Sequence, residues 1–502
     1  MRDGRWARAR LSSWPMLLAL TVIAIAIQLS GVPNHDVAWI LTSAGRLLDG
    51  GRFGRDIVDV NPPLAWWLLT VPVALADGGG WPRYPVFVAC VAALTLASVR
   101  LTEVTLRHGG DGAGGRGVVL AAAAVMLFAP GYDYGQREHL LLITAVPYCM
   151  AAAAASRARP IPPGLSLAVG LFAAIGFCLK PYFLIIPAAL AVWVSLRNRK
   201  LLACLRVETL VLGGVGCLYG AAVMLWAPAY LGSVVPEAVA GYWAYDESAA
   251  RLWRGALSTL LPMGCALAVL IRAHRGRPMP LAAQAMIVAF MAAGAAALLQ
   301  HKGWYYHFLP ALGFGVVGCV ALFRPRGGPV PMAALGLALI AGFGAATAYP
   351  TLARTANGMV THVDALAALF AEKARGGTVF AFTTSPRDIH PALLLAGVGW
   401  DADACCMQQL PALVRAGEQA AGRRADQARA AGLRQLATVL HRLNDRPPVL
   451  ILVDERPNKP GFGETAFDYL RFLAAQPGYP ALFARYRPAG VVAGFRVFER
   501  AE

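Results

Sequence analysis

Two carboxylates stand where an apolar membrane sequence would not ordinarily place them. Asp36 follows His35 directly ahead of the helical pattern VAWILTSAGRLL, and Glu138 lies in GQREHLLL at the head of a long apolar run. A carboxylate at a helix start can cap free backbone N–H groups, or it can accept a proton from whatever occupies the cavity beside it. For Asp36 both uses are open. Glu138 has the alternatives of a group that orients a ligand or a metal and an ion pair with Arg137 or Arg55. Cations and aromatics recur near such positions: Lys180 with Tyr182 after a Pro-bounded break, and QHKGWYYH with Gln300, His301, Lys302, Tyr306 and His307. Lys180 either binds an anion or snorkels from the end of a span. The QHKGWYYH segment is either part of a site or an interfacial aromatic belt. Asp133 in GYDYG is a turn former or a ligand, and Asp246 with Glu247 reads as a solvated loop.

The elements that must position these residues follow from composition. Of 502 residues 57% are hydrophobic and 15% charged, and the mean hydropathy is +0.53. Such a chain belongs mostly in a bilayer. The net charge of +17 reflects short basic loops at an anionic leaflet, and nucleic acid is not an expected partner. Seven of the nine cysteines lie in or beside apolar segments and act as small hydrophobes, while the adjacent Cys405 and Cys406 receive no role.

The start, MRDGRWARAR before the apolar run 14–29, has the outline of a signal peptide but no clear cleavage site, so an uncleaved first span to about Val32 is expected. In residues 34–63 apolar positions Val37, Ile40, Leu41, Ala44, Leu47 and Leu48 share one helical face, with Thr42, Ser43, Arg46 and Asp49 on the other. That pattern predicts a helix lying along the membrane rim. The next apolar stretch, 62–77, is short for the ~20 residues of a span and is interrupted by Pro72.

Later apolar segments run at about 84–99, 117–130, 139–155, 163–179, 181–196, 207–228, 255–271, 281–299, 304–323 and 329–349. Alternate loops between them hold fourteen Lys and Arg, against five in the intervening loops. Together with Arg2, Arg5, Arg8 and Arg10, this bias puts the N-terminus in the cytoplasm only if 62–77 does not cross. The expectation is therefore a helical polytopic membrane protein with eleven spans and two membrane-hugging helices in an external loop, 33–83. The pair 163–196, turning at Leu179, Lys180 and Pro181, has the alternative of one long broken helix. From about Thr351 a small α/β external domain is predicted. It has strands at 378–384 and 449–455, helical patterns at 408–443 and 464–475, and a hairpin at 483–500. The domains expected are 1–350 and 351–502.

The order of these features resembles the polytopic GT-C glycosyltransferases that use lipid-linked sugars, such as aminoarabinose transferases of lipid A and protein O-mannosyltransferases. The likeness rests on Asp36 after the first span, the phrase AGRLLDGG, the helix start NPPLAWW, and Glu138 in the next external loop. It covers roughly the first 160 residues in order. Where those families often carry a charged residue before Pro-Pro, this chain has Asn61, with Asp59 two positions earlier.

The resemblance implies transfer of a sugar from a polyprenyl-phosphate donor to a hydroxyl of a glycan, glycolipid or protein, at the periplasmic face of a bacterial inner membrane. It implies Asp36 as general base and Glu138 orienting the acceptor or a metal. Arg137, Lys180, Lys302 and His307 would meet the lipid phosphate, and His35, Asp59, Asn61, Asp133, Tyr182, Gln300 and Tyr306 would complete the substrate contacts. No cofactor is required. A divalent metal held by Asp36, Asp133 and Glu138 is compatible with the residue types. The reading needs the carboxylates at 36 and 138 to open onto one external pocket. The alternatives are a transporter or lipid exporter, against which the absence of an internal repeat counts, and a membrane phosphotransferase.

Overall fold

Small residues set how closely the helices of the first unit meet. A computed structural model of the chain describes residues 13–109, 115–157, 160–323, 332, 335–336, 359–418, 422–463 and 465–501. The chain divides into two compact units, the first being Met1–Gly31, Phe87–Gly220 and Glu247–Leu352, the second Val32–Val86, Ala221–Asp246 and Ala353–Glu502. The domain boundary expected at 350/351 falls outside the described residues, as do Arg2 to Arg10, Arg324, Arg326 and all of the predicted span 329–349 but 332 and 335–336.

In the first unit the helix Arg137–Ala155 is buried at every position from Arg137 to Ala154. It packs on Pro163–Phe177, Ile185–Asn198, Leu281–Leu299 and Leu309–Leu322. Its run Ala151–Ala155 has no bulk to hold a neighbour off, and a Cβ at Gly176 would collide with Thr144 Oγ1. Close backbone approach of this kind is how helices associate when the solvent is as apolar as they are. At the head of the helix Gly135 has φ +78°, and a Cβ there would run into the Phe87 ring. Glycine is what this approach requires.

Among the described residues seven helices are long and apolar enough to cross a membrane: Arg83–Gly109, Arg137–Ala155, Pro181–Asn198, Val207–Trp226, Ala249–Ala273, Leu281–Leu299 and Tyr305–Leu322. Trp14–Leu29, Leu64–Gly79, Gly115–Phe128 and Pro163–Phe177 are shorter apolar helices. Each predicted span among the described residues is thus a helix, and the protein is a polytopic helical membrane protein. Between Pro163–Phe177 and Pro181–Asn198 the chain breaks, with Lys180 extended (φ −144°, ψ 141°) before a 3-10 turn at Pro181–Leu184.

The second unit begins with the rim helix His35–Leu48 and the helix Leu64–Gly79. The expectation that Ser43 faces outward with Thr42 and Arg46 is corrected. Ser43 is buried, and its Oγ accepts from Trp66 Nε1 at 2.8 Å, pinning the two helices together. Arg83 braces the same pair, gripping Asp77 with Nε and Nη2 at 2.8 and 2.7 Å and donating to Leu41 O at 3.1 Å.

The tail of this unit holds a five-stranded sheet in the order β2-β1-β3-β5-β4. The strands are β1 Thr378–Phe382, β2 Gly399–Trp400, β3 Leu450–Asp454, β4 Tyr486–Val492 and β5 Phe495–Arg500. β1 runs parallel to β2 and β3, while β5 is antiparallel to β3 and β4. Continuous apolar runs in β1 and β3 match their burial at the sheet centre.

Two helix boundaries need correction. The stretch 408–443 forms two helices, Leu410–Glu418 and Arg423–Asp445. The pattern at 464–475 yields only Tyr469–Ala474, because the Asp468 side chain accepts from Arg471 N at 3.1 Å and so starts the helix there. The two-residue β2 carries too little sequence to announce a strand.

Candidate functional site

Charged groups gather in both units, and each gathering is built by a different piece of local chemistry. In the first unit Glu138 enters at the first turn of Arg137–Ala155 and is fully buried. Lys180 reaches it from the extended link ahead of Pro181, where the clash of the proline Cδ with the preceding residue keeps that residue out of helical geometry. Its Nζ donates to Glu138 Oε1 at 2.6 Å and to Gln300 Oε1 at 3.1 Å. The charge-assisted contact to Glu138 is short, as ionised partners favour. Gln300 terminates Leu281–Leu299 and donates Nε2 back to Ala296 O at 3.2 Å, which aims its carbonyl oxygen at Lys180.

His307 Nε2 lies 3.7 Å from the same Glu138 oxygen. Its ring meets Tyr306 edge-on at 4.5 Å, and Lys180 Nζ is 5.7 Å from the Tyr306 ring. Lys180, Arg137 and Lys302 all present their charge to His307. Two atoms are left over: Glu138 Oε2 and His307 Nδ1 are buried without a hydrogen-bond partner in this structure. Buried polar atoms normally find one. A carboxylate oxygen and an imidazole nitrogen in reserve beside the Lys180 ammonium suit a ligand that carries a donor hydroxyl.

In the second unit the helix cap falls to Asn34 rather than Asp36. Asn34 Oδ1 accepts from Asp36 N at 2.9 Å and Val37 N at 3.3 Å. The Asp36 carboxylate is therefore not needed for the task that was its rival use. His35 Nε2 is 3.6 Å from Asp36 Oδ1. Asp59 is buried, with Oδ2 accepting from Trp39 Nε1 at 3.1 Å and Oδ1 accepting from Asn61 N and Nδ2 at 2.9 and 2.8 Å. Asp59 and Asn61 thus brace the turn into Pro62-Pro63.

The other expected residues separate clearly. Asp133 is buried in the 3-10 turn Gly131–Asp133. Arg137 and Lys302 are buried, while Tyr182 is exposed and takes no part in the Glu138 cluster. Lys180 does not snorkel, and Glu138 pairs with Lys180. Glu247, in the loop ahead of the helix Ala249–Ala273, pairs with Arg251 at 3.3 Å, as a solvated loop would. Among the described residues no group of three or more His, Cys, Asp or Glu stands together as a metal site would need.

Sequence reasoning missed His390 and the contacts of Arg46. His390 is fully buried between Trp39 and Trp400, each ring centroid 5.1 Å away, with Nε2 donating to Cys405 O at 2.8 Å. Burial pushes its pKa down to about 4. An isolated histidine before Pro391 carries no sequence signal for this placement.

No family model matches the chain, and no curated protein does. Solved structures do. ArnT from Cupriavidus metallidurans matches in its apo state with a TM-score of 0.57 and bound to undecaprenyl phosphate with a TM-score of 0.54. Each pair is 12% identical, over 98% and 99% of this chain respectively and 98% of the other. The chain has the ArnT fold. The likeness of fold runs along the whole chain, well beyond the first 160 residues on which the resemblance read from Asp36, AGRLLDGG, NPPLAWW and Glu138 rested.

Proposed function

We propose that the protein is a membrane glycosyltransferase that moves a sugar from a polyprenyl-phosphate donor to an acceptor hydroxyl of an envelope glycan, glycolipid or protein. The observation that carries this reading is the end-to-end fold shared with a protein whose structure holds undecaprenyl phosphate. The buried Glu138–Lys180–Gln300–His307 cluster supplies chemistry of the right kind.

In the reaction, the acceptor oxygen attacks the anomeric carbon while its proton passes to the Asp36 carboxylate. The bond from that carbon to the phosphate oxygen breaks, and polyprenyl phosphate departs. Lys180, Arg137, Lys302 and His307 stabilise the departing phosphate, and Glu138 keeps Lys180 placed. Electrostatic groups fixed before the reaction cost no reorganisation during it. Attack opposite the leaving phosphate inverts the anomeric centre.

The site works at the periplasmic face of the inner membrane, with the N-terminus cytoplasmic. A reporter fused at Gly109 should accordingly read as cytoplasmic. The test is transfer from a synthetic polyprenyl-phosphate sugar by protein in nanodiscs, with the product's anomeric configuration read by NMR. Inverted product that disappears in Asp36→Asn supports the proposal, and retained configuration rules this mechanism out.

A further inference from the structure

The rim helix His35–Leu48 is only 14 residues long. A helix of that length is marginal by itself, so its position comes from what grips it. At its C-terminal end Arg46 would ordinarily extend into solvent. Instead Nη2 donates to Trp400 O at 2.6 Å, and Nη1 donates to Ala402 O at 2.5 Å and to Asp56 O at 3.1 Å. One guanidinium therefore ties the helix, the loop after it and the segment following β2 into one knot. A planar fork with five N–H donors suits this task, and no other side chain offers it.

Two further contacts fix the same segment. Val58 N donates to Asp403 O at 2.8 Å within a parallel bridge from Val58 to Ala404. Trp400 Nε1 donates to Ala404 O at 2.8 Å, holding its own loop closed. Nearer the helix start, His390 fills the space between Trp39 and Trp400. Trp39 lies three residues after Asp36, on the same helical face, and Asp59 holds its indole. The Asp36 end of the helix thus rests against the tail through tilted and edge-on ring contacts, and the other end is tied to the tail by Arg46.

We propose that Arg46 is a positioning residue, through which the tail segment 399–405 fixes the height and rotation of the helix that carries Asp36. The tail domain then serves catalysis as a template, without touching substrate. This rests on the reading of Asp36 as the base. Displacement of a reacting group by about 1 Å can cost 100-fold in rate, so loss of the clamp should act on turnover rather than on donor binding.

The test uses full-length protein in nanodiscs with the synthetic polyprenyl-phosphate sugar. Arg46→Ala should lower kcat at least tenfold while the donor KM stays within about twofold, and amide exchange over 36–48 should accelerate. Arg46→Lys, which keeps the charge and some donors, should recover part of kcat and part of the protection. Unchanged kcat and exchange in Arg46→Ala would overturn the proposal. If Arg46→Ala fails to fold, Arg46→Lys decides alone: wild-type kcat there overturns the proposal, and a reduced kcat at unchanged KM upholds it. Asp36→Asn in parallel separates the two ideas. Full activity in that variant removes Asp36 from the chemistry, whereas the exchange pattern of Arg46→Ala still reports whether the clamp holds the helix.

Discussion

Removing the ammonium of Lys180 should do two separable things to this protein. With Lys180→Met, Glu138 is left fully buried, with one oxygen already unpartnered and the other facing only His307 at 3.7 Å. An uncompensated buried charge of this kind costs about 3–5 kcal/mol. Glu138→Gln takes the carboxylate away from Lys180, which keeps Gln300 Oε1 at 3.1 Å, and should destabilise as well. Replacing both partners removes both charges from the interior, so the double variant Glu138→Gln/Lys180→Met should be far less destabilised than the two single losses added together. A coupling of at least about 2 kcal/mol is expected from this cycle.

Activity should not follow that recovery. If Lys180 stabilises the departing phosphate, the refolded double variant should stay at least about 100-fold below wild type in transfer rate. Stability is measured by SDS titration in mixed micelles, and rate with the nanodisc transfer assay. Additive destabilisation would show that the two groups do not act as a buried pair. A double variant that is both stable and active would reduce the pair to architecture and refute the assignment.

Other consequences are smaller and local. Asn34→Ala removes the cap and should cost about 1 kcal/mol, with faster amide exchange at Asp36 and Val37; unaltered exchange would return the cap to Asp36. Gly135→Ala forces a side chain into a left-handed backbone against the Phe87 ring and should destabilise by more than about 1 kcal/mol, measured by the same SDS titration. His390, with its pKa held down to about 4 from 6.5, stays neutral in the fold while the unfolded chain takes up a proton. Its contribution is complete above pH 6.5 and is lost as pH falls toward 4, by about 3 kcal/mol in total. His390→Phe should flatten that part of the stability profile, and an unchanged slope would assign it to other groups.

Much of the architecture could be read from hydropathy because a span is a long, local signal. The rim helix was equally legible from Val37 through Leu48, since a helical face repeats within one element. Glu138, Lys180, Gln300 and His307 were visible as polar residues at span ends, yet nothing in the sequence says that a lysine at 180 meets a carboxylate 42 positions earlier. Ser43 shows the opposite error, a polar residue read as solvent-facing because its partner, the Trp66 indole, lies on another helix. The two uses of Asp36 stayed open in the sequence because Asn34 and Asp36 are both good capping residues two positions apart, and the cap falls to Asn34. Arg46 and His390 were illegible for a deeper reason: their partners are backbone carbonyls at Asp56 and in segment 399–405 and the indole faces of Trp39 and Trp400, which no residue type advertises.

The most direct test of the account compares cell-envelope glycans, by mass spectrometry, from cells expressing the wild-type chain and cells expressing Asp36→Asn at equal protein level. The account predicts that one defined sugar disappears from one acceptor in the variant, while its polyprenyl-phosphate donor accumulates. An identical glycan profile, with the variant folded and abundant, would contradict it.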